Sequence, residues 1–580
     1  MNTKQDQEQT YETLNQISND EFESIMPYRS PIEKYLDIDV ESNIESFDKK
    51  ISQNHYEITT RDKKLSQEVF VKYIPLIDYL KYLIGKYKKD NIEILPRIGD
   101  EETKETKETK YEKYINDKNN YAYVDSFFYY LTSKLYNTHD FCHGIQCFDS
   151  FVCQKKKCRI NIADDFEYLC DSQYFNEQMG KLFDFEDEGI NDIFKQSNKE
   201  PLKIHDDDVV IDIDDIEIDH INDEENDTEN EIVEIDTNPI RDDVNEKEIG
   251  VVSDELEEDT EDDSDDDDDD SEDDSDDDED DDSEYSESEE VEEESNQDEE
   301  YDESEEDDDS DDDEEEDIYL QLNKFPTQVV IMEKCTNTLD NLLQNDLITI
   351  EELESCMFQV ISMLYVYQKV FHFTHNDLHT NNIMYVETDK EFIYYEIKGK
   401  TYKIPTFGKI YKIIDFGRAI YEYKGKLLCS DSFSCNGTAH TQYNFGPYYN
   451  NEKPEVRPNY SFDLCRLACS IFDFVCDDVT HIQKIRDEVP VYDLIFSWIY
   501  DDNNRNVLYK SNGSDKYPGF KLYRMITRIV HRHIPEDQFD HPCFNKYQIC
   551  VNEKNKEEEI EKRQKDKDKS YFIDTDKISI

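Results

Sequence analysis

Glycine and proline are scarce in this chain, with 14 Gly and 15 Pro among 580 residues and no glycine at all before Gly85. That composition excludes collagen-like and Pro/Gly-rich low-complexity classes, and it leaves no G-x-G-x-x-G phosphate loop in the first 84 residues. No stretch approaches the ~20 consecutive apolar residues of a membrane span, and the start MNTKQDQEQT has neither the basic nor the apolar run of a secretory signal. The expectation is a soluble, intracellular protein with no membrane partner. The 14 cysteines lie scattered in apolar stretches (Cys356, Cys465, Cys469, Cys476) rather than as a disulfide framework, which points to a reducing compartment. Basic residues are missing where acids are densest: residues 251–320 hold 48 Asp and Glu and no Lys or Arg. With a formal net charge of -82 and no strong local basic patch, direct nucleic-acid binding is not expected.

Most of that charge belongs to one segment. Residues 196–317 are nearly devoid of apolar runs, and like charges repel, so they are expected to form a disordered acidic insertion. Its serines precede acids (Ser264-Asp265, Ser271-Glu272, Ser275-Asp276), as in sites of acidophilic kinases, and such a polymer suits basic protein partners. Val209 to Asp214 has the weak pattern of a sheet-edge-binding strand. On either side, ordered patterns return. Residues 1–40 read as a flexible lead. Residues 41–195 read as α+β, with an alternating strand over 68–74, a helical run from Asn120 and a strand over 145–152. Residues 318–335 hold a buried strand around Phe325 to Met332. Residues 336–550 are expected to be mainly helical, with one long helix through Leu353, Val360, Leu364 and Phe371 and another from Ser461. Residues 551–580 read as a charged tail. Cys142, His143, Cys147, Cys153 and Cys158 lack tight C-x-x-C spacing and read as buried or edge thiols rather than zinc ligands.

The chemistry concentrates after the long helix, in His375-Asn376-Asp377-Leu378-His379-Thr380-Asn381-Asn382, followed by Ile413-Ile414-Asp415-Phe416-Gly417. Phosphoryl transfer needs a carboxylate to orient the acceptor hydroxyl and oxygen ligands to hold Mg²⁺ on the phosphates, and Asp377, Asn382 and Asp415 supply that set.

In this order the motifs resemble those of the protein-kinase superfamily, H-R-D-x-x-x-x-N followed by D-F-G. The wording around Thr374 to His379, Tyr402 to Gly408 and Ile413 to Ala419 is similar to that of serine/threonine-protein kinases of large DNA viruses. The resemblance implies a two-lobed kinase-like α+β fold, its small lobe split by the acidic insertion, in host cytoplasm if the source is viral. It implies ATP and Mg²⁺ as cofactors and a protein substrate. It assigns Asp377 as catalytic base with His379 near the transferring group, and Asn382 and Asp415 as metal ligands. Lys72 would orient phosphates, with Asp125 as its acidic partner, and backbone groups of Glu333 and Cys335 would receive adenine. Asp463 would brace the catalytic loop, and Glu455, in Lys453-Pro454-Glu455, would close the activation segment.

Three departures qualify this pattern. The glycine loop is missing or built differently, which favours a pseudokinase scaffold as the alternative. Asn376 stands where regulated kinases carry an Arg that receives a phosphorylated activation segment, so activity independent of such phosphorylation is expected. His379 replaces a Lys, as in small-molecule kinases, while Gly417 tilts the balance back to a protein substrate.

Overall fold

Period-two burial organises the first half of the molecule in this computed structural model, which describes residues 4–26, 30–87, 95–96, 110–163, 165–187, 318–434, 437–443, 456–476, 479–510, 513–549 and 569–579. The acidic insertion, with Val209 to Asp214 and its serines, lies outside the described residues. Strands β1 (Phe22–Met26), β2 (Ile44–Lys50), β3 (His55–Thr60), β4 (Ser66–Pro75), β5 (Cys147–Asn161), β6 (Phe183–Phe185) and β7 (Tyr319–Glu333) form one antiparallel sheet. Its order is β1-β5-β7-β4-β3-β2, with β6 pairing the first part of β7.

Alternation sends Val69 and Val71 of β4, with Val329 and Ile331 of β7, into one core layer, which helix α1 (Lys4–Ile17) covers with Tyr11 and Leu14. Lys72 and Ile74 necessarily point the other way, with Val330 and Met332, toward helix α2 (Tyr121–His139). The face of Lys72 is therefore set by the hydrophobic register of its own strand.

The first forty residues are not a flexible lead. Helix α1 caps the sheet, Tyr11 donates a 2.9 Å hydrogen bond to buried Asp149, and β1 pairs with β5. Three apolar side chains in an otherwise polar helix suffice because Tyr11 and Leu14 are almost wholly buried, which contributes about 1.5–3 kcal/mol apiece, and Ile17 packs partly buried against the same core. The strands around 145–152 and 325–332 also run longer than expected, since β5 and β7 pair over most of their fifteen residues each.

The second half is less purely helical than expected. Helix α3 (Ile350–Phe371) opens with a full capping box, Thr349 with Glu352, and is buried through most of its length. Helices α4 (Phe462–Val475) and α5 (Lys521–Ile529) pack nearby. Strand β8 (Asn337–Thr338) precedes α3, and between α3 and α4 run β9 (Ile383–Glu387), β10 (Phe392–Ile397), β11 (Lys400–Pro405), β12 (Lys409–Ile413), β13 (Ile420–Tyr423) and β14 (Lys426–Cys429). The charged tail also departs from expectation. Residues 551–568 lie outside the described residues, but β16 (Ser570–Asp574) adds in parallel to β10, while β15 (Gln548–Ile549) pairs β11. Burial of Ile573 anchors that strand. No helix among the described residues is long and apolar enough to cross a membrane.

Candidate active site

Three charges from distant parts of the chain meet at Lys72. Its Nζ lies 2.8 Å from Asp125 Oδ2 and 2.8 Å from Asp415 Oδ1. Asp125 sits one turn into α2, whose start is fixed by Asn120: the Asn120 side chain caps Ala122 N–H and donates to the Leu76 carbonyl. Asp125 is 1% exposed, and its second oxygen accepts the Phe416 N–H at 2.6 Å. Burial pushes its carboxyl up to about 6, while Lys72 pulls the other way. Asp415 is half-exposed, and the Lys72 ammonium holds its carboxyl down to about 2. Flanked by two carboxylates, Lys72 stays protonated well above the usual lysine range despite its burial.

Tyr129, one helical turn after Asp125, also contributes to this arrangement. Its hydroxyl accepts the Asp415 N–H at 2.9 Å and its ring lies 5.5 Å from Lys72 Nζ. Asp415 adopts a left-handed backbone, φ 63°, which an Asp tolerates better than most residues. The turn throws the next side chain, Phe416, into an aromatic cluster, 4.6 Å from Phe128, 4.9 Å from Tyr129 and 5.7 Å from His375 between ring centres.

The loop of Asp377 is fixed through its backbone. Asp463, fully buried in the first turn of α4, accepts the His375 and Asn376 N–H groups at 2.8 and 2.9 Å. Burial pushes its carboxyl up to about 7 against the pull of those two donors. His375 Nε2 lies 2.8 Å from the Ile414 carbonyl, and its Nδ1 accepts the Asp377 N–H at 3.3 Å. Those roles match a neutral imidazole with its proton on Nε2, and burial lowers its pKa. Asn382 Nδ2 donates to the Asp377 carbonyl at 2.9 Å and lies 3.2 Å from His379 Nε2. With its NH₂ so used, Asn382 keeps its amide oxygen as a hard donor atom, as Asp415 does its ionised carboxylate.

The Asp377 carboxylate itself is engaged by side chains absent from the sequence expectation. Tyr523 of α5 donates to Oδ1 at 2.8 Å, and Arg418 lies 3.2 Å from Oδ2. A cavity of about 500 Å³ opens here, lined by Asp340, Asp377, His379, Arg418, Arg466 and Tyr523 among others. Asn376, the replacement for an arginine, is fully buried with φ 64°. It donates to the Arg418 carbonyl at 3.0 Å and accepts from the Tyr443 hydroxyl at 2.5 Å. It therefore ties the segment after Gly417 to the loop by neutral hydrogen bonds.

The structure brings Lys72, Asp125 and Asp415 into one cluster and Asp377, His379, Asn382 and Asp463 into one loop assembly. Glu333 is the last residue of β7 and Cys335 lies two residues past it, beyond Val330, which pairs with Lys72. The Glu333 N–H is already given to the Gln146 carbonyl, and its carboxylate grips buried Lys412 of β12 at 2.5 Å, a pairing the sequence did not suggest. Glu455, with Lys453 and Pro454, lies outside the described residues. The thiols of Cys142, Cys153 and Cys158 are buried, and His143 is spent on Tyr411 and Tyr395. Tyr129 was within reach of sequence reasoning, being four residues from Asp125 on a helix; Tyr523, 146 residues from Asp377, had no such signal.

No family model matches the chain. A stretch of 89 residues, 15% of the chain, is 30% identical to serine/threonine-protein kinase haspin of Mus musculus, and an equal stretch is 30% identical to that of Bos taurus. A 63-residue stretch is 36% identical to an uncharacterized protein of Caenorhabditis elegans. These stretches span 12%, 11% and 21% of the respective relatives. The two haspin matches support a distant kinase-like relationship over a small part of the chain.

Proposed function

We propose that the protein is an ATP- and Mg²⁺-dependent protein kinase of two-lobed fold that transfers the γ-phosphate to Ser or Thr hydroxyls of a protein. The observation that carries this reading is the Lys72 cluster: an ammonium held between a buried helix carboxylate and an exposed, ionised Asp415, beside a loop that presents Asp377 and the Asn382 amide oxygen. In this role Lys72 orients the α- and β-phosphates, and Asn382 and Asp415 hold Mg²⁺, which when bound neutralises charge on the phosphates. Their fit to that ion rests on hard oxygen donors and on the low carboxyl pKa of Asp415. Asp377 takes the acceptor's proton as the acceptor oxygen bonds the γ-phosphorus and the bond to the bridging oxygen breaks, releasing ADP. Adenine would meet backbone groups at Glu333 and Cys335.

The missing glycine loop does not leave the strand pair absent. The hairpin β2–β3 turns through residues 51–54, and Asn54 exchanges backbone and side-chain hydrogen bonds with Val71, next to Lys72. This turn is our candidate for phosphate cover, built on ordinary side chains. The lack of glycine there favours a second reading, a scaffold without catalysis that binds basic proteins through the acidic segment. Incubation with labelled ATP and Mg²⁺ separates the two. Label on histone or myelin basic protein, absent with Asp377→Asn, supports the kinase. Label on small alcohols alone redirects the substrate class, and no label on any acceptor supports the scaffold.

A further inference from the structure

Each oxygen of the resting Asp377 carboxylate has a side-chain partner: Tyr523 donates to one and Arg418 sits against the other. An acceptor hydroxyl must come within about 2.6–3.2 Å of such a base to lose its proton. Each oxygen can accept a second hydrogen bond, but a hydroxyl arriving through the cavity competes there with the Tyr523 phenol, which lines the same cavity. The Asp377 loop does not need Tyr523 for its shape. Its backbone is already held by Asp463, by His375 and by Asn382, none of which involves α5. Burial raises the pKa of the phenol and keeps its proton on oxygen for this bond, while the same oxygen accepts a hydrogen bond from the Arg466 guanidinium. Its ring stacks on Phe520 with centres 4.7 Å apart and planes 3° apart, with the Arg466 guanidinium 5.0 Å from its centre. The Arg466 Nε has no hydrogen-bond partner, so this end of the cavity keeps an unused donor beside Tyr523.

We propose that Tyr523 is a resident hydroxyl occupying the acceptor position of Asp377, excluding water until a substrate hydroxyl displaces it. The inference rests on the kinase reading. It makes Tyr523 a selectivity residue: only an acceptor that brings enough binding from the cavity walls to displace a hydrogen bond to a charged group reaches the base.

The test compares full-length wild type with Tyr523→Phe, which keeps the ring and its stacking, with a basic protein as acceptor and separately with water alone. The expected result is an acceptor KM lowered by about tenfold, the scale of one hydrogen bond to a charged group, with kcat held or raised. Acceptor-free ATP hydrolysis should rise in the variant. A fall in kcat with KM unchanged would mean that the phenol braces Asp377, and would overturn the inference. So would a variant unchanged in both KM and acceptor-free hydrolysis while the wild type transfers phosphate normally. If the wild type transfers to no acceptor, the kinase reading fails first and this inference with it.

Discussion

Lys72 and Asp377 each have two side-chain partners, yet they are held in opposite ways. Around Lys72 the partners are charges of opposite sign, and the carboxylate of Asp125 is buried under α2 with its second oxygen tied to the Phe416 N–H. Removing Lys72 leaves the buried Asp125 carboxylate without its counter-charge, so this end resists rearrangement. Around Asp377 the partners are a phenol and a half-exposed guanidinium lining an open cavity, and the loop backbone is fixed without them. Those partners can leave at the cost of a hydrogen bond. On the proposed kinase reading, a site that keeps a nucleotide in one geometry and admits a separate acceptor would use this division: fixed charges at one end, a displaceable pair at the other.

The largest expected effects break the fixed end. Lys72→Met should lower phosphoryl transfer by ~10²–10³-fold, the usual cost of removing one preorganised electrostatic group, measured as initial rates at saturating acceptor. Asp463→Ala strikes the backbone that supports the other end. It strands two buried N–H groups, which at roughly 1–3 kcal/mol each should appear as a marked drop in denaturant midpoint together with loss of activity. A rate loss without a stability loss would mean that Asp463 does more than brace.

A smaller effect concerns the segment after Gly417. Asn376 joins it to the loop through uncharged, buried hydrogen bonds, so no guanidinium waits there for a phosphate. Phosphorylating or dephosphorylating serines and threonines in 418–453 should change the rate by less than a few-fold, read from phosphatase-treated and untreated enzyme. A large activation would contradict this account.

The smallest effect is a pH dependence. Asp431 accepts the Tyr121 N–H at 2.8 Å, tethering the same segment to the start of α2. Burial pushes its carboxyl up to about 7, with Asp117 adding to the rise and Lys81 opposing it. The folded state thus keeps a proton that the unfolded chain has lost, so this group's contribution to stability falls as pH rises from about 4 through about 7. Asp431→Asn, which retains an acceptor oxygen, should gain on wild type in melting temperature across that window. A gap independent of pH would show that Asp431 is ionised throughout.

How much of this was legible follows from what is local. The alternation at 68–74 gave the strand and the face of Lys72, and helical spacing from Asn120 gave α2 with Asp125 one turn in. The apolar runs gave β7, α3 and α4, and the D-F-G and His375 to Asn382 motifs located the charges and the loop. The lead hides its helix because α1 carries only Tyr11, Leu14 and Ile17 as apolar residues in a polar sequence, and its value lies in the sheet face it covers, Asp149 and Phe151 included. The β16 strand was hidden in a charged tail for the same reason, its partner β10 being far away in sequence. Tyr523 and Lys412 are long-range neighbours whose meeting with Asp377 and Glu333 only the fold decides.

The central claim is that the Lys72 cluster is a metal and nucleotide site. The most direct measurement is calorimetric titration of ATP into the wild type and Asp415→Ala, each with and without Mg²⁺. The account predicts that Mg²⁺ tightens ATP binding to the wild type and that Asp415→Ala abolishes this dependence. Binding that is indifferent to both Mg²⁺ and Asp415, or no ATP binding at all, would contradict it.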